Sequence, residues 1–353
     1  MRGESARLRD SARRFIAACA CIGVVTFAHA AADCLGTAPL RGVNIAGAEF
    51  NPLKQPGVAN KDYTYPQRTD MTYFAAQGMN VVRVPIRWER LQPELNQSLD
   101  EAELKRLTDT VREANAAGLC VIVDVHNYGV YKRQQLGSDA VPVAAFSDLW
   151  LRIARAFPDA SGVAFGLMNE PNLIPIDRWA TAARAAVTAL REGGARNLIL
   201  VSGGRWSGAH EWTSEFGGIS NARAFAGMAG APLVIEVHQY ADSDYSGTHN
   251  KCVPAARAAA TFDAVTKWAR DNGKQLFLGE FGTPGDADCL AALDAMLAQV
   301  SDSSVWRGWT YWAAGAWWAP DYAMSIQPRG GVDAPQLAVL RKYLKPVTAG
   351  DRK

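Results

Sequence analysis

Two glutamates stand out because each closes an apolar run. Glu170 follows Gly162-Val163-Ala164-Phe165-Gly166-Leu167-Met168-Asn169, and Glu280 follows Gln275-Leu276-Phe277-Leu278-Gly279. A carboxylate at the end of a buried segment is costly unless it is used or paired. Two such groups on one surface suit a definite chemistry. One carboxyl gives a proton to a leaving oxygen, and the other attacks the carbon or activates water, which together cleave a glycosidic bond.

The segments carrying them recur. Short apolar runs lie at Leu40–Ile45, Val81–Val84, Cys120–His126, Val163–Met168, Leu198–Ser202, Leu233–His238, Gln275–Gly279 and Gly308–Trp312. Between them lie longer amphipathic stretches: Leu99–Ala117, Phe146–Phe157, Ile176–Arg191 and Ala255–Asn272. In the first, Leu104, Leu107, Val111 and Ala114 repeat at helical spacing. Strands alternating with helices imply parallel strands, and eight of them imply a closed (β/α)8 TIM barrel. An open doubly wound sheet would carry a glycine-rich phosphate loop after its first strand. Here Gly47-Ala48-Glu49-Phe50-Asn51 follows instead. Function in a barrel gathers at the C-terminal strand ends. Those ends supply Arg83, His126, Asn169 with Glu170, Trp206, His238 with Tyr240, Glu280 and Trp312.

The chain of 353 residues is 20% charged and 48% apolar, enough for one large core. Its start is set apart. Five arginines precede an apolar run from Phe15 to Phe27, which ends at Ala28-His29-Ala30. That pattern predicts a secretory signal peptide over residues 1–30, cleaved after Ala30, with a single catalytic domain over 31–353. The run is shorter than the ~20 residues a membrane span needs, so no membrane anchor is expected. Without its basic leader the chain is close to neutral, which argues against nucleic acid as a partner. The mature chain keeps Cys34, Cys120, Cys252 and Cys289, which permit two disulfides in any of three connectivities. They lack the close pairs of a structural zinc site, and neither metal nor cofactor is expected.

The ordered motifs Arg41-Gly42-Val43-Asn44-Ile45, Val82-Arg83-Val84-Pro85, Asp124-Val125-His126-Asn127-Tyr128, Asn169-Glu170-Pro171, His238-Gln239-Tyr240, Gly279-Glu280-Phe281-Gly282 and Trp309-Thr310-Tyr311-Trp312 resemble glycoside hydrolase family 5. The opening Arg41–Phe50 and Trp206-Ser207-Gly208-Ala209-His210 look most like its endo-β-1,4-glucanase branch. Val125 departs from the proline that many of these enzymes carry before the histidine. The resemblance implies Glu170 as general acid and then base, and Glu280 as nucleophile. Arg83 would stabilise Glu280, Tyr240 would hold it, and Asn169 would bind the sugar 2-hydroxyl. His126 and His238 would bind hydroxyls or orient the two acids. Trp312 would floor the sugar site before the scissile bond, and Trp206, Trp317 and Trp318 would stack on further rings. A Cys252–Cys289 bridge is expected because both lie at one rim after adjacent strands, and the resemblance supports it. Cys34 and Cys120 would pair at the opposite end.

Bland readings cover the remainder. Trp88, Trp150, Trp179, Trp212, Trp268 and Trp306 are expected in the core, and His210 and His249 are expected to be structural. Strand alternation places Asp124 and Glu236 one layer below His126 and His238, where such buried acids must be paired, through Arg83 or the histidines. The reading is thus a secreted, monomeric, retaining endo-β-1,4-glucanase acting on a β-1,4-linked glucan. A β-mannanase and a catalytically silent carbohydrate-binding barrel are the alternatives. The retaining reading also predicts carboxyl groups ~5–5.5 Å apart.

Overall fold

The computed structural model describes residues 31–344; the leader expected over 1–30 lies outside the described residues. Eight parallel strands close into a barrel: β1 Leu40–Ile45, β2 Val81–Ile86, β3 Cys120–Val125, β4 Val163–Gly166, β5 Ile199–Ser202, β6 Leu233–His238, β7 Leu276–Glu280 and β8 Trp306–Ala314. Each strand pairs with its sequence neighbours, and β8 closes on β1 through Leu40 opposite Gly308. This is the (β/α)8 barrel expected from the sequence. Among the described residues, no helix is long and apolar enough to cross a membrane.

The strands are apolar on both faces because both faces are buried. Val43, Val82, Val121, Phe165, Ile199 and Ile235 face outward into the layer shared with the helices. Val81, Ile122, Ala164, Leu200, Val234 and Phe277 fill the barrel interior. The N-terminal segment seals the bottom of the barrel. A Cys34–Cys120 disulfide ties it to β3, and the Arg307 guanidinium binds the carbonyls of Cys34, Gly36 and Ala38.

Helices flank the barrel at 101–116, 143–156, 176–192 and 287–299. Asp100 and Asp286 cap two of them, accepting from the backbone N–H groups of Glu103 and Cys289. The single helix expected over Ala255–Asn272 is two, Ala255–Ala260 and Asp263–Asp271. The interruption falls at Thr261, whose hydroxyl bonds back to the Ala258 carbonyl, and at the buried Phe262. The six tryptophans expected in the core are all buried.

Candidate active site

Two residues above the apolar plug, the interior turns polar. By strand alternation Asn44, Arg83, Asp124, Ser202 and Glu236 follow the plug residues on their strands, and all are buried. Arg83 is the hub of this layer. Its guanidinium contacts Asp124 and Glu236 at 3.0 Å and Glu280 at 2.8 Å, and donates to the side-chain oxygens of Asn44 and Asn169 at 2.9 and 2.8 Å. Together the carboxylates hold the cation more firmly than burial disfavours it, so its pKa is raised. The expected pairing of Asp124 and Glu236 is present, through Arg83 and through the histidines.

One expectation needs correcting. Arg83 does not end its strand; β2 continues through Val84-Pro85 to Ile86. The guanidinium therefore rises from within the barrel to reach the rim. Trp312 likewise lies inside β8 rather than at its end.

A bulge aims Glu280. The register of β6 against β7 runs Glu236 opposite Phe277 and Val237 opposite Leu278, then shifts so that His238 faces Glu280. The extra residue is Gly279, and it turns the next side chain into the rim. Only glycine fits there, because a Cβ would lie 2.0 Å from Oε1 of Glu236. Glu170 stands four residues beyond β4 at φ +40°, a left-handed conformation that costs energy outside glycine and gathers at functional sites.

The two histidines differ in charge: one ring is neutral and the other is a cation. His126 Nδ1 lies 2.8 Å from Asp124, while Nε2 meets the Asn169 amide at 3.2 Å and the Tyr128 hydroxyl at 3.1 Å. With Asn169 Oδ1 accepting from Arg83, its amide nitrogen must donate, so His126 Nε2 accepts and the proton sits on Nδ1. Burial keeps this ring neutral and pushes its pKa down to about 3. His238 bonds carboxylates at both nitrogens, Glu170 at 2.8 Å and Glu236 at 3.2 Å. Burial opposes its charge, but Glu280, Glu170 and Glu236 together raise it to about 10.

The acids differ as well. Burial raises the pKa of Glu170 and neighbouring Glu280 adds to this, against the hydrogen bond from His238. Glu280 accepts from Arg83 at 2.8 Å and from the Tyr240 hydroxyl at 3.0 Å. Burial pushes Asp124 up to about 7 despite Arg83. Glu236 moves down, because Arg83 and His238 outweigh its burial. An oxygen of Glu170, an oxygen of Glu280 and a nitrogen of His238 lie within 4.8 Å of one another. His238 spends both nitrogens as donors, so this triad offers a metal two oxygens and no imidazole lone pair.

The cleft has two lobes that meet at His126, Tyr128 and Trp312. Glu170, Glu280 and Trp206 belong to the first, with His210 and Tyr245 as a wall. Trp317 and Trp318 line the second, with Glu49, Phe50 and Arg87. Trp206 is 50% exposed and Trp317 39% exposed. Trp318 is half-buried, stacked on Tyr322 at 4.2 Å. The Trp312 ring lies nearly parallel to His126 at 5.7 Å, and its N–H donates to the Tyr322 hydroxyl. The Cys252–Cys289 disulfide ties the loop after β6 to the helix after β7.

The chain matches the family model described as Cellulase (glycosyl hydrolase family 5) over residues 42–316. It belongs to glycoside hydrolase family 5. Among family 5 structures, an endo-beta-1,4-glucanase from Xanthomonas axonopodis pv. citri is 46% identical, with a TM-score of 0.85 over 87% of this chain and 98% of that one. A structure of XacCel5A in complex with cellopentaose is 47% identical, also with a TM-score of 0.85, over 87% of this chain and all of that one. Endo-beta-1,4-glucanase B of Emericella nidulans is 34% identical over 306 residues, 86% of this chain and 90% of the relative.

Several residues of the family 5 cleft were not singled out from the sequence. Tyr128 sits beside His126 in the quoted motif, and its φ of +56° holds it at the junction of the lobes. His210, expected to be structural, lines the first lobe and packs against Tyr245 at 4.4 Å. Tyr322 and Glu49 lie in loops, where no periodic pattern marks them. His249 stays outside the lobes, paired with Asp242 and Asp244 at 3.2 Å.

Proposed function

We propose that this chain is a secreted endo-β-1,4-glucanase that cleaves internal bonds of a β-1,4-linked glucan with retention. The single observation carrying the mechanism is the close approach of Glu170 and Glu280, whose nearest oxygens lie within 4.8 Å. That spacing suits direct attack and leaves little room for the water an inverting enzyme places between substrate and base.

Glu170, raised by burial, gives its proton to the leaving oxygen. His238 orients it through the 2.8 Å bond. Glu280, held by Arg83 and Tyr240, attacks the anomeric carbon and forms a glycosyl–enzyme ester. Glu170, now ionised, takes a proton from water, which opens the ester and restores both acids. Asn169 is fixed by Arg83 and His126 to meet the sugar 2-hydroxyl, a contact that strengthens in the transition state. Trp312 carries the sugar at the reacting site, and Trp206, Trp317 and Trp318 carry its neighbours. These are apolar sugar faces on indole rings.

The open, two-lobed cleft and the glucanase names of the relatives support internal cleavage of a glucan. Two disulfides and the predicted leader support export. The reaction as written uses no cofactor, and the reading is of a monomer. Initial rates on carboxymethylcellulose and on β-mannan, measured side by side, test the substrate. Faster loss of viscosity on the glucan is expected. A preference for mannan would replace the substrate assignment, and binding without turnover would leave a silent carbohydrate-binding barrel.

A further inference from the structure

Glu49 is an acid that the reaction described above does not use. It stands four residues beyond β1 in Ala46-Gly47-Ala48-Glu49-Phe50, and its side chain is 7% exposed. One oxygen, Oε2, accepts from the Gly47 N–H at 2.7 Å. Its own backbone N–H also bonds the carboxylate, no side chain donates to it among the described residues, and the residue lines the Trp317–Trp318 lobe. The cation that lines that lobe, Arg87, gives its two terminal nitrogens to the His126 carbonyl and to Glu89, its buried Nε has no partner, and it forms no ion pair with Glu49. Burial pushes Glu49 up to about 7. A buried carboxylate met only by the backbone N–H groups of Gly47 and Glu49, with no cation or side-chain donor, is an expense the fold itself does not recover.

The surroundings say what would complete it. Phe50 meets Trp318 edge to face at 4.9 Å, and Trp317 is exposed beside them. Aromatic surface next to an acceptor-only carboxylate matches a sugar ring, with an apolar face and a belt of hydroxyl donors. The position along the chain follows from the acid. Glu170 protonates the departing sugar and lines only the other lobe, whereas Trp312 lines both. The Glu49 lobe therefore holds the part of the substrate that stays on the enzyme as the ester.

We propose that Glu49 is a substrate-binding residue whose carboxylate accepts hydrogen bonds from hydroxyls of the glucosyl unit next beyond Trp312, on the side away from Glu170. This rests on the acid and nucleophile assignments above. It makes Glu49 a determinant of how many sugar units a substrate must carry on that side.

The test compares 2,4-dinitrophenyl β-cellobioside with 2,4-dinitrophenyl β-glucoside, using the full chain, Glu49→Ala and Glu49→Gln. The activated leaving group makes the one-sugar substrate measurable, and only the two-sugar substrate reaches Glu49. Loss of a hydrogen bond to a charged group corresponds to roughly ten- to hundred-fold. Glu49→Ala is expected to lower kcat/KM on the cellobioside by about that factor, and to leave the glucoside within about twofold. Glu49→Gln keeps the volume and an acceptor, so it should fall between, and it serves as the readout if the alanine variant does not fold. Equal rates on the cellobioside, or an equal loss on both substrates, would overturn the assignment. A folded wild-type protein that cleaves neither substrate would instead overturn the glycosidase reading on which it rests.

Discussion

Replacing Arg83 with alanine removes the buried guanidinium that touches three carboxylates. Asp124 and Glu236 lie 3.0 Å from the guanidinium and Glu280 lies 2.8 Å from it, and the Arg83 side chain has no solvent exposure. An exposed ion pair such as Lys267–Asp271 contributes at most about 1 kcal/mol. Breaking a buried pair costs about 3–5 kcal/mol, because the stranded charges remain in low dielectric. Against a typical total of about 5–15 kcal/mol, that is a large share of the fold's stability. The loss has a pH signature. Without Arg83, the folded-state pKa of Asp124 rises further above the value of about 7 that burial already gives it, and that of Glu236 is no longer held down by the guanidinium. The folded variant then binds more protons than folded wild type, so its stability relative to wild type falls as pH rises through the range where these two carboxyls titrate. Urea unfolding of both proteins at about pH 5 and about pH 8 measures this directly. The stability loss is expected at both and larger at the higher pH. A loss below about 1 kcal/mol at both pH values, or a larger loss at acid pH, would refute the claim that Arg83 is the charge hub.

Tyr240→Phe removes only the 3.0 Å bond to Glu280. It should lower kcat/KM roughly tenfold or more and leave the melting temperature nearly unchanged, which activity and calorimetry together check. Because burial raises Glu170, glucan hydrolysis should fall on the alkaline side as that carboxyl loses its proton. Glu170→Gln should abolish that limb along with most activity, and a limb that persisted would have to belong to another group. Imidazole nitrogen NMR should find His126 neutral, with its proton on Nδ1, across the range from its pKa of about 3 upward. The same spectra should find His238 doubly protonated until about pH 10.

The barrel was legible because parallel strands buried on both faces leave continuous apolar runs, and every one of the eight was readable. Their ends were less so. Pro85 reads as a stop, yet β2 continues through it. The β1–β2 pairing already ends at Asn44 opposite Arg83, so the missing N–H of Pro85 costs no ladder bond on the β1 side. Asp124 and Glu236 were inferable from alternation alone. The bulge at Gly279 was not, since it depends on the Glu236 carboxylate filling the barrel interior from a neighbouring strand. The charge states of His126 and His238 were also invisible. Both follow a buried acid by two residues, but only His238 faces the carboxylates of Glu170 and Glu280 as well. Glu49 escaped notice because it lies past a strand end in a loop without periodicity, and its meaning comes from Trp317 and Trp318, far away in sequence.

The central claim is that Glu170 and Glu280 act as a retaining pair. Proton NMR of the first sugar released from a β-1,4-linked glucan oligosaccharide tests it most directly. The account predicts that the β-anomer appears first, with the α-anomer growing in later by mutarotation. An α-anomer formed first would contradict it, and would mean that water, not Glu280, attacks the anomeric carbon.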